Sequence, residues 1–202
     1  NIVNLEKNSK KIIFIRHAKT LKNDGSFLGQ SRNPKIIKKK YNIKKISFSK
    51  IYTSPLIRCI ETANILSSKK EYFVDKNLLE INYGELEGMN IYELNQKYPK
   101  LIQKWSKGQD PKFPKGESQK DVLKRIKMFI NKIKKDKSKN ICVISHNVFL
   151  RCLIGEYFQI PKQKWYKINI PHLMKLEFVV IKNNIYPNMD RKKFKIIFSN
   201  LY

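Results

Sequence analysis

Residues 12–20, IIFIRHAKT, decide the fold that we predict for this chain. Four consecutive apolar residues followed by polar ones are typical of a strand buried on both faces, as in a parallel sheet. Residues 141–147, ICVISHN, repeat that pattern. Because ligand-binding groups gather beyond the carboxyl ends of parallel strands, we expect His17 and His146 to lie at the same edge of one sheet.

A third segment, residues 50–63 (KIYTSPLIRCIETA), has the same form and continues into a predicted helix. Ser54 is suited to cap that helix, and Pro55 fits its first position. Arg58 would then lie in the first turn, where anions bind readily. With Arg16 and the two histidines, it would form a cationic pocket whose expected ligand is a phosphate group.

Strand and helix patterns alternate along the rest of the chain, which predicts an α/β fold. Apolar residues at helical spacing mark the longest helix, residues 117–135. We predict a three-layer sandwich with a mainly parallel central sheet flanked by helices, forming a single domain over residues 1–202. Further strands are expected near 72–74, 174–181 and 194–198, and further helices at 55–66, 90–98, 100–105 and 148–158.

Composition limits the class of protein. The chain has 202 residues, 41% of them hydrophobic, which suffices for one full core. No apolar stretch approaches the length of a membrane span, and residues 1–10 are too polar for a signal peptide. The three cysteines are odd in number and lie in apolar or helical settings, so we expect reduced thiols in a cytoplasmic protein, with neither disulfides nor a metal site.

The formal net charge of +27 raises the question of nucleic-acid binding. Only six of the 43 basic residues are arginines, whereas arginine is the usual choice for bidentate contacts to bases. The lysines are spread along the whole chain, which favours a solvated basic surface. We therefore expect no nucleic-acid partner, although such a surface would attract anionic substrates and would do so less at high salt.

Five motifs, in this order, resemble those of the histidine phosphatase, or phosphoglycerate mutase-like, superfamily. The resemblance extends from about residue 11 to residue 177, and the second half is similar to the branch that removes the 2-phosphate of fructose 2,6-bisphosphate. The motifs are RHAKT at 16–20, SPLIR at 54–58, LEINYG at 79–84, GES at 116–118 and SH at 145–146.

The resemblance implies a role for each motif. His17 would be the nucleophile that forms a phosphohistidine, and Glu80 would be the general acid. Arg16, Arg58 and His146 would hold the phosphoryl oxygens. No metal or other cofactor is implied. The positions that the resemblance suggests for substrate binding are Asn23, Tyr98, Lys104, Asn147, Arg151 and His172.

Two residues beside the nucleophile depart from the family's pattern. Ala18 replaces the usual glycine and adds a methyl group where the backbone would approach phosphate. Lys19 replaces the usual glutamate and reverses a charge at the rim of the predicted pocket. The core chemistry is retained in the sequence, whereas the physiological substrate stays open.

The expected function is therefore that of a metal-independent phosphomonoesterase acting on a small phosphorylated metabolite, with a sugar phosphate favoured. One alternative is a mutase, which usually carries a longer insertion than the segment from Glu80 to Gly116 allows. Another is a protein-directed phosphatase or a non-catalytic member, although no core residue is lost. The expected partner is a small phosphorylated substrate, with no nucleic acid and no membrane, and a homodimer is left open.

Overall fold

A six-stranded sheet forms the centre of the protein. The structure is a computed structural model that describes residues 9–22, 24–39, 41, 43, 47–67 and 71–201. The strands are β1 (Lys10–Arg16), β2 (Lys50–Thr53), β3 (Phe73–Val74), β4 (Asn140–Ser145), β5 (Lys175–Ile181) and β6 (Asn184–Asn188). Their order in the sheet is β3-β2-β4-β1-β5-β6, and the first four of these pair in parallel while β5 and β6 are antiparallel.

Helices cover both faces of this sheet. Ile12 and Phe14 of β1 pack into one core cluster with the helices α4 (Gln119–Lys135) and α5 (Asn147–Tyr157). Ile13 and Ile15 pack with helix α1 (Ile57–Leu66) in a second cluster on the other face. Successive strand residues point to opposite faces, so the continuous apolar runs serve both clusters and the predicted three-layer α/β architecture is confirmed. The α-helices are α1 (Ile57–Leu66), α2 (Ile91–Lys97), α3 (Pro99–Ser106), α4 (Gln119–Lys135), α5 (Asn147–Tyr157) and α6 (Arg191–Ile197), and short 3₁₀ helices lie at Lys76–Leu78, Gly84–Leu86 and Lys162–Lys167.

The carboxyl ends of the three central parallel strands meet at one edge of the sheet. Arg16 at the end of β1 pairs with Ser145 at the end of β4, and β2 ends in register beside them. The backbone hydrogen bonds continue one residue further, since His17 N donates to the Ser145 carbonyl oxygen (3.0 Å) and Ser54 N donates to that of Ile144 (3.1 Å). The first residue after each strand is thereby fixed at the same edge.

The start of α1 differs from the prediction. The helix begins at Ile57 rather than Pro55, and its N-cap is Leu56, which makes no side-chain capping bond. Ser54, predicted to be the cap, accepts a hydrogen bond from Leu56 N only at 3.4 Å, while its Oγ lies 2.8 Å from His146 Nε2. The prediction of Ser54 as N-cap was wrong because this tertiary contact takes the hydroxyl. Arg58 still lies in the first turn.

The predicted strand at residues 194–198 was also wrong, because the segment lies in and just after helix α6. Asp190 caps that helix by accepting a hydrogen bond from Lys193 N (2.8 Å). Phe194 and Phe198, four residues apart, stack with a centroid separation of 4.6 Å, which is a helical spacing. A short apolar run does not by itself distinguish a strand from a helix.

The edge strand β6 was not predicted. It pairs with β5 through a two-residue turn, Lys182 and Asn183, both of which have positive φ (46° and 65°). Such a turn matches the twist of a hairpin but is usually marked by glycine, which is missing here. Among the described residues, no helix is long and apolar enough to cross a membrane.

Candidate active site

His17 lies at the exit of β1 with its ring almost fully buried. The residue as a whole is 4% exposed, and its Nδ1 atom lies 2.7 Å from the Ala18 carbonyl oxygen. Since a carbonyl oxygen only accepts hydrogen bonds, this contact requires the proton on Nδ1 and leaves a lone pair on Nε2. Burial and the positive charges of Arg58 and Arg16 hold the pKa of His17 well below its usual 6.5, so the ring is neutral.

Ala18 is accommodated without backbone strain. It is fully buried, and its N–H donates to Thr62 Oγ1 (2.9 Å) on helix α1. Its φ is not positive, so the position does not demand the glycine usual in the family. Lys19, the second departure, is exposed and points its charge toward solvent rather than into the core.

Arg58 is buried on helix α1, and neighbouring groups fix its guanidinium. Nε donates to His146 Nδ1 (3.3 Å), and the two terminal nitrogens donate to the carbonyl oxygens of Arg32 (3.1 Å) and Gly29 (2.7 Å). These bonds use three of the five N–H groups that a guanidinium carries and leave one on each terminal nitrogen for a ligand. Burial lowers the pKa of Arg58, and the negative charges of Glu80 and Glu87 counteract this lowering.

His146 is fully buried beside His17, with 5.3 Å between the ring centroids. Nδ1 accepts from Arg58 Nε, so the proton of the neutral ring is on Nε2, which donates to Ser54 Oγ (2.8 Å). Burial and the charge of Arg58 hold the pKa of His146 well below 6.5. Both nitrogens are thus engaged by protein groups, so a ligand could bind Nε2 only if the contact with Ser54 were exchanged.

Arg16 is the last residue of β1 and faces the same edge. One terminal nitrogen donates to the Ile170 carbonyl oxygen (2.5 Å), while Nε is buried without a hydrogen-bond partner. Burial lowers its pKa to about 10, which leaves the guanidinium positively charged at neutral pH. A buried N–H without a partner is costly, and an anionic oxygen would satisfy it.

Glu80 lies at the N-terminus of helix α5 and is 6% exposed. Oε1 accepts hydrogen bonds from the backbone N–H groups of Ile81 (3.0 Å), Val148 (3.1 Å) and Phe149 (3.2 Å). Oε2 receives only a second contact from Val148 N (3.2 Å). Orphan N–H groups at the start of a helix therefore hold one oxygen and leave the other able to exchange a proton with a ligand.

An ion pair holds the backbone around Glu80. Arg125 on helix α4 binds both carboxylate oxygens of Glu117 (2.8 and 2.9 Å). The same guanidinium donates to the carbonyl oxygens of Asn77 (2.8 Å) and Leu79 (3.0 Å). A bidentate pair of this kind is geometrically specific, which gives the GES motif a structural role in placing the loop of Glu80.

A cavity of about 240 Å³ opens at this edge of the sheet. Arginines 16, 58 and 151 and Lys22 line it against a single carboxylate, that of Glu80, so the cavity is strongly cationic. His146 is adjacent but does not line it. The predicted site residues that the structure brings together around the cavity are Arg16, His17, Arg58, Glu80, Asn147, Arg151 and His172.

Five of the six predicted substrate-binding residues lie in the part of the chain that the structure describes, and they fall into two groups. Asn147, Arg151 and His172 lie at the cavity. The Asn147 Oδ1 atom is buried without a hydrogen-bond partner, and Arg151 Nε donates to the Ile168 carbonyl oxygen (2.8 Å). His172 Nδ1 lies 2.9 Å from the His17 carbonyl oxygen. Tyr98 and Lys104 do not line it, and the Tyr98 hydroxyl donates to Glu85 (3.1 Å). Asn23 lies outside the described residues.

Several residues of the site had no predicted role there, among them Ser54, Tyr83 and Lys22. Ser54 orients His146, and the sequence carried a signal for it, because it is the first residue after β2 just as His17 and His146 follow β1 and β4. Tyr83 lines the cavity and stacks with Phe27 (4.8 Å between centroids). Its motif was recognised, but a loop tyrosine has no spacing that marks it as a ligand. No cluster of described side chains could hold a metal ion.

Comparison with protein families gives one match that spans most of the chain. The model of the histidine phosphatase superfamily (branch 1) matches residues 12–185. A fructose-2,6-bisphosphatase of Saccharomyces cerevisiae is 28% identical over 188 residues, 87% of this chain and 41% of the relative. Phosphoserine phosphatase 1 of Hydrogenobacter thermophilus is 27% identical over 146 residues, 67% of this chain and 69% of the relative. The chain thus spans less than half the length of the yeast relative.

Solved structures of similar fold cover nearly the whole chain. The alpha-ribazole phosphatase of Shigella flexneri has a TM-score of 0.73 and 19% identity, covering 89% of this chain and 95% of that one. A phosphoserine phosphatase mutant of Entamoeba histolytica, in complex with phosphoserine, has a TM-score of 0.74 and 22% identity, with the same coverage. At these identities the likeness establishes the fold.

Proposed function

The chain belongs to the histidine phosphatase superfamily, branch 1, and we propose that it is a metal-independent phosphomonoesterase that acts on a small phosphorylated metabolite. The observation that carries this proposal is the neutral, buried ring of His17, whose Nε2 lone pair is free beside the buried Arg58 and the partly buried Arg16. A neutral imidazole nitrogen can attack phosphorus in line and hold the phosphoryl group covalently.

The phosphoryl group would be bound by fixed positive charges. Arg58 offers the two N–H groups that its protein partners leave unused, and Arg16 offers its orphaned Nε. His146 would donate its Nε2–H hydrogen bond to a phosphoryl oxygen in place of Ser54 Oγ. Preorganised donors stabilise the charge that spreads over these oxygens in the transition state.

Glu80 would protonate the leaving alcohol and then activate water. The P–O bond to the alcohol breaks as the bond to His17 Nε2 forms, and the proton passes from Glu80 to the departing oxygen. A water molecule then attacks the phosphohistidine, gives its proton to Glu80 and releases inorganic phosphate. The oxygen with spare capacity, Oε2, suits both steps because the backbone holds the other oxygen in place.

The lining of the cavity favours a substrate that carries further polar or anionic groups. Arg151 and Lys22 add positive charge beyond the phosphoryl-binding arginines, and Asn147 Oδ1 lacks a donor. A sugar phosphate with a second anionic group would satisfy all three. The name of the Saccharomyces cerevisiae relative, a fructose-2,6-bisphosphatase, agrees with that class of substrate. We also propose that the reaction takes place in the cytoplasm, since all three cysteines are free thiols.

A substrate panel tests this proposal. Catalytic efficiency would be compared for sugar monophosphates, sugar bisphosphates, phosphoglycerates, phosphoserine, nucleotides and phosphopeptides, with EDTA present. The highest kcat/KM is expected for a sugar bisphosphate. Preference for phosphoserine would place the second anionic group on an amino acid, preference for phosphopeptides would contradict a small-metabolite substrate, and no turnover of any ester would contradict the proposed activity.

Arg151→Met tests the substrate subsite separately. The loss of its charge is expected to lower kcat/KM for the best substrate by about tenfold or more, while an aryl phosphate without a second anion is affected much less. Arg191→Met is the matched control, since Arg191 is exposed at the start of α6. Equal losses on both substrates would show that Arg151 supports the site without contacting the substrate.

A further inference from the structure

The loop at residues 27–32 connects the phosphoryl-binding arginine to a carboxylate outside the cavity. Arg58 donates to the carbonyl oxygens of Gly29 (2.7 Å) and Arg32 (3.1 Å), so this loop determines where its guanidinium lies. Gln30 Nε2 donates to the Glu80 carbonyl oxygen (2.8 Å). The same loop thus contacts two of the residues to which the proposed reaction assigns chemistry.

Glu87 holds that loop from the other side. Its Oε1 accepts from Gln30 N (2.7 Å), and its Oε2 accepts from Ser31 N (2.9 Å) and from the Ser31 hydroxyl. The loop and the segment after Glu87 also exchange backbone hydrogen bonds, between Gly88 N and the Phe27 carbonyl oxygen (2.8 Å) and between Phe27 N and that of Met89 (2.9 Å). Both oxygens of the Glu87 carboxylate therefore bind consecutive N–H groups of the loop.

A single peptide group joins the carboxylate to the guanidinium. The N–H of Gln30 and the C=O of Gly29 belong to the same planar peptide unit, and Glu87 binds its hydrogen while Arg58 binds its oxygen. A peptide between a carboxylate and a guanidinium is polarised by both, which strengthens each hydrogen bond. The unit fixes the distance and direction between the two charges.

Position 29 favours glycine, because its backbone is left-handed and lies close to Glu87. Gly29 has a φ of 57°, in the left-handed region, and a Cβ atom there would collide with the Glu87 carboxylate. Glu87 does not line the cavity, in contrast to Glu80. It is therefore placed to act on Arg58 through the backbone and has no direct path to a substrate.

We propose that Glu87 is a positioning residue for phosphoryl binding, acting on Arg58 through the Gly29–Gln30 peptide group. The inference rests on the proposed phosphoryl-binding role of Arg58. The three acidic residues of segment 80–87 would then have different roles. Glu80 faces the cavity, Glu87 orients the arginine, and Glu85 forms a surface ion pair with Lys115 (2.8 Å).

Glu87→Gln is the primary test, since it keeps the size of the side chain and replaces one accepting oxygen by a donating nitrogen. Binding of inorganic phosphate by calorimetry and the single-turnover rate with an aryl phosphate are each expected to fall by about tenfold or more, because the guanidinium loses its fixed direction. The matched control, Glu85→Gln, removes an exposed ion pair and is expected to change both by less than about twofold. Glu87→Asp, which keeps the charge but shortens the side chain, should recover part of the loss and replaces Glu87→Gln if that variant does not fold.

A double-mutant comparison shows whether the effect passes through Arg58. Arg58→Lys removes the fork that binds the two loop carbonyls, so adding Glu87→Gln to it should cost little more. Full additivity of the two losses would overturn the inference, as would unchanged phosphate binding in a folded Glu87→Gln protein whose wild type binds phosphate. Failure of the wild type to bind phosphate or turn over any ester would instead overturn the proposed function, and this inference with it.

Discussion

Glu80 and His17 each have one atom held by the protein and one atom left for chemistry. His17 is tied through Nδ1 to the Ala18 carbonyl oxygen, and Glu80 is tied through Oε1 to three backbone N–H groups. The ring and the carboxylate are thereby oriented before a substrate arrives, which reduces the cost of reaching the reactive geometry. The remaining atoms, Nε2 and Oε2, are those to which the proposed mechanism assigns proton and phosphoryl transfer.

Glu80→Gln separates proton donation from the rest of the site. The amide cannot protonate a leaving group, so the single-turnover rate for a sugar phosphate should fall by about a hundredfold or more. The phenolate of an aryl phosphate such as p-nitrophenyl phosphate leaves without protonation. The single-turnover rate for that substrate should therefore fall much less. Glu93→Gln, in the exposed capping box of α2, is the control. Equal losses on the two substrates would contradict the assignment of Glu80 as general acid.

Residues at strand exits could be predicted from the sequence, whereas their partners could not. An apolar run followed by a histidine is local information, and it identified His17 and His146. The contact between His146 and Ser54 joins positions 92 residues apart. The partners of Arg58 in the loop are carbonyl oxygens, which every residue carries, so no residue type marks them.

Helix α4 shows why a long amphipathic pattern predicts a helix well. It buries six apolar residues at helical spacing, and a capping box at Ser118 and Asp121 fixes its start. Helix α6 has only seven residues, and its apolar run was too short to show a period. The buried residues of α4 are Val122, Leu123, Ile126, Phe129, Ile130 and Ile133.

Ser118→Ala should destabilise the protein through the start of α4. Ser118 Oγ accepts a hydrogen bond from Asp121 N (3.2 Å), and the Asp121 carboxylate accepts from Ser118 N (2.9 Å). Loss of an N-cap of this kind lowers the free energy of unfolding by about 1 kcal/mol. Ser106→Ala, at an exposed helix end, is the control and should change stability little. Equal stability of the two variants in urea denaturation would contradict the capping role.

The order of the strands in the sheet could not be predicted from the sequence. The apolar runs indicated which segments form strands, but not that β4 lies between β1 and β2 or that β5 and β6 extend the sheet in antiparallel pairing. Strand order depends on which faces pack together once the chain has folded. It nevertheless decides the site, because it places the ends of β1, β2 and β4 side by side.

Buried neutral histidines couple the stability of the whole molecule to pH. The pKa values of His17 and His146 are held well below 6.5 by burial and by Arg58. As pH falls through about 6.5, the unfolded chain takes up protons that the folded protein does not, so the free energy of unfolding decreases on acidification. The loss is on the order of 1 kcal/mol per histidine about one pH unit below that value. Urea denaturation at pH 7.5 and 5.5 measures it.

The variant His146→Gln identifies the contribution of one ring. Its stability should depend less steeply on pH than that of the wild type over the same range, whatever its stability at pH 7.5, because one buried titratable group is gone. Gln163→Ala is the control, because Gln163 is exposed and does not line the cavity. This variant should retain the wild-type pH dependence of stability. Identical slopes for His146→Gln and the wild type would contradict a buried, neutral His146.

His17 Nε2 is proposed to accept the phosphoryl group during turnover. Quenching the reaction with radiolabelled substrate should trap a phosphoprotein that is stable in alkali and labile in acid, and peptide analysis should place the label on His17. His17→Ala should carry no label, although the phosphoryl-binding arginines remain. A wild-type enzyme that turns over without a covalent label, or a label that persists in His17→Ala, would rule out His17 as the nucleophile.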